Sequence, residues 1–413
     1  MEADNGLIYD WNRVDEPALR GGRRPLLNDE TLRDGLQSPS VIDPPVEKKI
    51  EILHLMSAVG IDSLNLGLPG AGARARADVL ALAREIAASK LQIRCNCAAR
   101  TIESDIRPIA EIVEATGLEI EAATFLGSSP IRQYAEDWTL DFLLGTTDKA
   151  VTFARRLGLP VMYVTEDSTR ARPEAIKKLY TTAIECGARA VVVCDTVGHV
   201  TPQGVRALVR FVLEEVVKPT GESIRLDWHG HRDRSLAVAN SLAAFEAGAD
   251  QVHGTALGIG ERVGNTPLDQ LLVNLKLLGA PGYADRDLTR LKHYVQAVSE
   301  AVGVPIPPNY PVFGSDAFRT GTGVHAAAVV KAYRKNDIEL ANRVYSGVPS
   351  HWFGLEQRIE IGPMSGKSNI TFWLESHGLE ATDERVERIF KRAKQADRLL
   401  AEQEILEVCH SSD

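Results

Sequence analysis

Glu185-Cys186-Gly187-Ala188-Arg189-Ala190-Val191-Val192-Val193-Cys194 reads as a helix end, a glycine and a short buried strand in immediate succession. A glycine at that place supplies the left-handed backbone that closes a helix before the chain turns. The same phrase recurs as AVGID (Ala58–Asp62), RLGLP (Arg156–Pro160) and EAGAD (Glu246–Asp250). Working outward, β-rich apolar runs lie at Leu26-Leu27, Ile61–Leu66, Leu91–Cys95, Leu118–Thr124, Val161–Thr165, Ala190–Cys194, Ile224–Trp228 and Ala249–His253. Between them, Ala77–Ala88, Ile106–Ala115, Asp141–Arg156 and Leu236–Ala247 carry helical periodicity. Strand–helix alternation of this kind makes a parallel sheet. Eight such units in about 250 residues predict a closed (β/α)8 TIM barrel, with an open doubly wound sheet as the alternative.

The chain has 413 residues, so a barrel leaves a remainder. The reading is an N-terminal extension over residues 1–24, the barrel over 25–280, and a mainly helical C-terminal region over 281–413. That last region holds a helical stretch at Asp287–Val302 and a stiff segment at Pro305–Pro311, a plausible linker. A single amphipathic helix is predicted from about Thr382 to Val408, with Thr382 or Asp383 as its cap.

Composition excludes several classes. A net charge of −9 argues against a binder that neutralises nucleic-acid phosphates. No apolar run is long enough to span a membrane. Asp4, Asp10, Asp15 and Glu16 stand where a secretion signal would be apolar, and five scattered cysteines read as reduced thiols. A cytoplasmic protein is the expectation.

Four places carry chemistry. His229-Gly230-His231-Arg232-Asp233 ends the seventh strand, and side chains two apart on a strand share a face, so both imidazoles can converge on one ion. The bland alternative is a pair of half-exposed histidines. Asp233 is expected to orient a ligand histidine. After the first strand, Asp29-Glu30-Thr31-Leu32-Arg33-Asp34-Gly35 offers a hard oxygen ligand beside a cation; alone it is also an ordinary ion-paired loop. Gly258-Ile259-Gly260-Glu261-Arg262-Val263-Gly264-Asn265 is no dinucleotide fingerprint, because it closes the strand series, but Asn265 brings an amide oxygen. Gly362–Ser368 only approximates a P-loop, and Cys95 and Cys97 lack the second pair that a zinc site needs.

Taken together, NDETLRDGLQSP (Asn28–Pro39), DTVGHVTP (Asp195–Pro202), HGHRDRSLAVANSLAAFEAGA (His229–Ala249) and GIGERVGNTPLDQ (Gly258–Gln270) resemble the DRE-TIM metallolyase superfamily. The nearest branch is the Claisen-condensing one of 2-isopropylmalate, homocitrate and citramalate synthases. The resemblance implies condensation of acetyl-CoA with a 2-oxo acid, assisted by a divalent metal (Mg, Mn or Zn). It makes Asp34, His229 and His231 metal ligands, with Asn265 completing the shell. It sets Arg33 beside the substrate's keto oxygen, Thr196 on its carboxylate, and Glu166 in TEDSTR as an active-site glutamate. In GSDAFRTGTGVH and YSGVPSHWFG it aligns His325 with the base that deprotonates acetyl-CoA and Tyr345 with an active-site tyrosine. In the family those two reach a neighbouring subunit, which implies an intertwined homodimer.

Several positions depart from the family's pattern. Leu36 gives the RDGLQ spelling of hydroxymethylglutaryl-CoA lyase, a retro-Claisen relative, so cleavage is one alternative and a non-catalytic metal-binding barrel another. Arg232 is expected to add a charge near the metal, and Arg132 to favour an acceptor with an extra anionic group. The chain also stops before the effector domain of feedback-regulated relatives, so leucine feedback through it is not expected.

Overall fold

The computed structural model describes residues 7–13 and 22–410, so most of the predicted N-terminal extension lies outside the described residues. Eight strands form a closed barrel, all parallel: β1 (Leu26–Asp29), β2 (Ser63–Asn65), β3 (Arg94–Arg100), β4 (Ile120–Gly127), β5 (Val161–Glu166), β6 (Ala190–Asp195), β7 (Arg225–Gly230) and β8 (Gln251–Gly254). The ring closes where β1 pairs with β8, from Leu26 opposite Gln251 to Asp29 opposite Gly254. The fold is therefore the predicted TIM barrel.

The four recurrent phrases end helices as their glycines required. Gly60, Gly158, Gly187 and Gly248 have φ of 78°, 79°, 109° and 110°. In each, the N–H after the glycine reaches back five residues, as Ala188 does to the Ala183 carbonyl and Ile61 to that of Met56. This turn satisfies carbonyls that the helix end would leave bare and aims the chain into the next strand.

Inside the barrel the walls differ in character. Ala123, Met162, Ala190, Val192 and Cys194 form an apolar cluster on β4, β5 and β6. Across from it, Asn28, Ser63, Asn96, Asp227, Gln251 and His253 are buried and polar. Ser63 Oγ and Asn96 Nδ2 both donate to Asn28 Oδ1 at 2.8 Å, so the polar wall is knitted together. Cys95 and Cys97 are buried, and all five cysteines are free thiols.

The barrel unit extends beyond the expected residue 280: it comprises the described residues up to 286 together with 293–305. From His293 on, the helix Leu291–Val302 belongs to it: the fully buried Tyr294 donates a hydrogen bond to Asp29 and meets Thr31 Oγ1 at 3.2 Å. The second unit comprises residues 287–292 and 306 onward. It is mainly helical, with a short parallel pair, Arg319–Thr320 beside Arg358–Ile359. The single helix predicted over 382–408 is two, Asp383–Lys394 and Glu402–His410. Between them Leu400 gives its N–H to the Ile361 carbonyl and buries itself among Ile370, Leu374 and Ile389, which bends the chain out of the helix. Thr382 caps the first piece through the Arg385 N–H, and Glu404 takes the Ala401 N–H at the start of the second. In the P-loop-like segment Lys367 pairs with Glu387 at 2.5 Å, and Ser365 Oγ bonds the Gly321 carbonyl. Among the described residues no helix is long and apolar enough to cross a membrane.

Candidate metal centre

The loops at the C-terminal ends of the strands bring the predicted ligands to one point. His229 is on β7, His231 lies just past it, and Asp34 opens a short turn, Gly35–Gln37, after β1. Asp34 Oδ2 is 3.3 Å from His229 Nε2 and 3.9 Å from His231 Nε2, and the two Nε2 atoms are 3.4 Å apart. All three residues are buried. Asn265 joins them through an antiparallel bridge with His231.

The glycines of the eighth loop make that return possible. Gly264 has φ of 105°, and a Cβ there would stand 1.8 Å from the Gly258 carbonyl oxygen. At Gly260 it would stand 2.1 Å from Asn265 Nδ2. Only bare backbone fits at either place. The Asn265 amide donates to the Ile259 carbonyl at 3.3 Å, which leaves its Oδ1 turned elsewhere.

Asp34 Oδ1, His231 Nδ1 and Asn265 Oδ1 are among the buried side-chain atoms that find no hydrogen-bond partner among the described residues. Buried polar atoms are rarely left bare, and here three of them belong to four expected ligands. One aspartate, two imidazoles and an amide oxygen are a donor set that suits a divalent ion. Burial would raise the Asp34 carboxyl, but the Arg33 guanidinium and the two imidazoles outweigh it and hold it well below the carboxylate range. Burial and the neighbouring His229 push His231 down to about 4, so its ring is neutral and able to ligate at neutral pH.

Around this point lie the other predicted residues of the barrel. Arg33 Nη1 is 3.2 Å from Asp34 Oδ2. Glu166 ends β5, and burial raises its pKa against the opposing charges of Arg132 and Arg33. Thr196 follows β6, and its Oγ1 accepts the Asp167 N–H at 2.8 Å, which leaves the hydroxyl hydrogen to give. Arg132 is exposed on the helix Pro130–Glu136; its guanidinium pairs with Glu136 at 3.1 Å and lies 5.6 Å from the Trp138 ring. In the second unit, His325 and Tyr345 stack with ring centroids 3.9 Å apart.

Two expectations around the metal are corrected. Asp233 does not hold a histidine: it pairs with Arg262 at 2.9 Å, whose guanidinium also reaches the Thr196 carbonyl. Arg232 commits its guanidinium to the carbonyls of Val263 at 2.6 Å and Leu257 at 3.2 Å. Both residues thus fasten the eighth loop. Sequence reasoning also passed over Glu30 and His253, both buried, whose Oε1 and Nδ1 lie 3.3 Å apart. Two ionisable residues at inward-facing strand positions, in phase with Asn28 and Gln251, were the available signal.

An HMGL-like family profile matches residues 24–298. The chain belongs to the HMGL-like family. Over 373 residues it is 34% identical to a homocitrate synthase of Methanopyrus kandleri, covering 89% of this chain and 87% of the relative. A 2-isopropylmalate synthase of a Geobacillus species is 33% identical, with coverage of 89% and 69%. A putative (R)-citramalate synthase of Methanopyrus kandleri is 32% identical, with 89% and 67%. Among solved structures, HMG-CoA lyase of Bacillus subtilis superposes with a TM-score of 0.58 at 19% identity, covering 69% of this chain and 96% of that one. The lyase of Pseudomonas aeruginosa gives 0.56 at 20%, with 68% and 94%. At that identity the lyases testify to the barrel alone. The synthases match most of the chain.

Proposed function

We propose that this protein condenses acetyl-CoA with a 2-oxo acid and then hydrolyses the thioester, as a synthase of the 2-isopropylmalate, homocitrate and citramalate type. The observation that carries the reading is the buried ligand set Asp34, His229, His231 and Asn265 with its three unpartnered atoms, beside Arg33. A divalent ion held there would act as a Lewis acid on the ketone of a chelating 2-oxo acid. Arg33 offers N–H donors where negative charge grows on the keto oxygen. Thr196 gives its hydroxyl hydrogen to the carboxylate. Glu166, its pKa raised by burial, is suited to exchange a proton with the reacting oxygen or the attacking water. His325, braced by the Tyr345 ring, takes a proton from the acetyl methyl group. The enolate carbon then bonds to the keto carbon, the keto oxygen gains a proton, and water releases the CoA thiol. The reading includes a homodimer in which His325 and Tyr345 of one subunit serve the barrel of the other.

The test is a free-thiol assay with Mg²⁺ or Mn²⁺ across pyruvate, 2-oxoisovalerate, 2-oxoglutarate and oxaloacetate. Thiol release with one acceptor, abolished in His229→Ala, is the expected result. Silence on every acceptor, with cleavage of hydroxymethylglutaryl-CoA instead, overturns it.

A further inference from the structure

Glu30 is a buried carboxylate that the chemistry above does not use. Its Oε2 accepts from Arg33 Nε at 2.8 Å and faces Nη2 at 2.6 Å, taking one whole edge of the guanidinium. The remaining nitrogen, Nη1, is the one that faces Asp34. The other oxygen, Oε1, accepts from Asn28 Nδ2 at 2.7 Å and meets His253 Nδ1 at 3.3 Å. His253 Nε2 in turn lies 3.2 Å from Asp227 Oδ2. Arg225 holds Asp227 at 2.9 Å and Glu121 at 2.8 Å, and the Gln251 amide donates to Asp227 at 3.1 Å. A chain of groups facing one another thus runs from Asp34 through Arg33, Glu30, His253, Asp227 and Arg225 to Glu121, down the interior of the barrel.

We propose that Glu30 and His253 are positioning residues: they lock the Arg33 guanidinium with only its Nη1 side free to face the metal and substrate, and tie that orientation to the barrel interior. A long arginine at a loop keeps many rotamers unless a planar partner fixes it, and a carboxylate taking a guanidinium edge does so. His253 holds the carboxylate itself, since a ring nitrogen on each side spans the gap between Glu30 and Asp227. The competing reading is a second ion, because donor atoms of Glu30, His229 and His253 all lie within 4.8 Å of one another. Partnering argues against it: no side-chain atom of Glu30 or His253 is left bare, whereas Asp34, His231 and Asn265 each keep one that is.

The inference rests on the role proposed for Arg33, so the experiment has arms that need no turnover. Crystal structures of Glu30→Gln and His253→Gln should show the Arg33 guanidinium turned from its present edge. Mn²⁺ titration should give a single ion per chain in wild type and both variants, with Kd changed by less than about threefold. In kinetics, Glu30→Gln should lower kcat about ten- to hundredfold with KM for acetyl-CoA unchanged. Glu30→Gln combined with Arg33→Ala should be no slower than Arg33→Ala alone, whereas a merely structural Glu30 would add its own loss. An unmoved Arg33, a second Mn²⁺ lost in Glu30→Gln, or additive losses overturn the proposal. A wild type without condensing activity would sink the proposed function instead, and the crystallographic and Mn²⁺ arms would still decide this one. If Glu30→Gln fails to fold, His253→Gln carries every arm.

Discussion

His231 and Asn265 stand opposite each other in an antiparallel bridge, although one follows β7 and the other lies eleven positions beyond the end of β8. The bridge is made by backbone, so it survives changes to the Asn265 side chain. Asn265→Ala should keep the fold and weaken Mn²⁺ binding about tenfold, read by titration calorimetry. An unchanged Kd would remove Asn265 from the ligand set.

Arg232 holds the same loop from outside through the Val263 and Leu257 carbonyls. Charge-assisted bonds of this kind contribute about 1.5–3 kcal/mol each. Arg232→Ala is expected to loosen the loop and weaken Mn²⁺ binding, with faster amide exchange at residues 258–265. Equal exchange in both proteins would show that the glycine turns alone suffice.

Burial pushes the Asp29 carboxyl up to about 6 from an ordinary 3.8, against hydrogen bonds from Thr31 and Tyr294. The native state therefore holds this proton more tightly than the unfolded chain does. The stability it contributes is complete below about pH 4 and is lost as pH rises through about 6, roughly 3 kcal/mol in all. Asp29→Asn cannot titrate, so its urea midpoint should fall less than that of wild type between pH 4.5 and 7. Parallel curves would contradict the buried-carboxyl account.

His325→Ala should slow condensation by about 10²-fold or more while Mn²⁺ binding stays intact. Co-expression of His325→Ala with His229→Ala tests the shared site. If His325 serves the partner's barrel, mixed dimers regain one working centre. Absence of recovery in dimers shown to be mixed would place His325 in its own subunit's reaction or outside it.

The barrel was legible because its strands are announced locally, each of four by a glycine that must close the helix before it. The cluster of Asp34, His229 and His231 was legible for a similar reason: the two histidines share a strand face, and Asp34 sits in a distinctive loop. Glu30 and His253 were not, since they meet only when β1 closes against β8, and no spacing within either segment records the encounter. Arg232 and Asp233 misled because adjacency to a ligand says nothing of where a long side chain finds its nearest partner. The bend at Leu400 was hidden in a pattern that stays amphipathic across it, and its cause is the distant Ile361 carbonyl.

Asp34 follows the first strand of the ring, His229 and His231 lie on and just past the seventh, and Asn265 follows the eighth, so the candidate ligands flank the line where β1 meets β8. A cation held by them would act as a clasp across the barrel's seam. A chain that stopped before β8 would lack both Asn265 and the strand that closes against β1. Metal uptake at this site would then report completed closure, and every tenfold excess of free ion over Kd would add about 1.4 kcal/mol to the closed form against the open one.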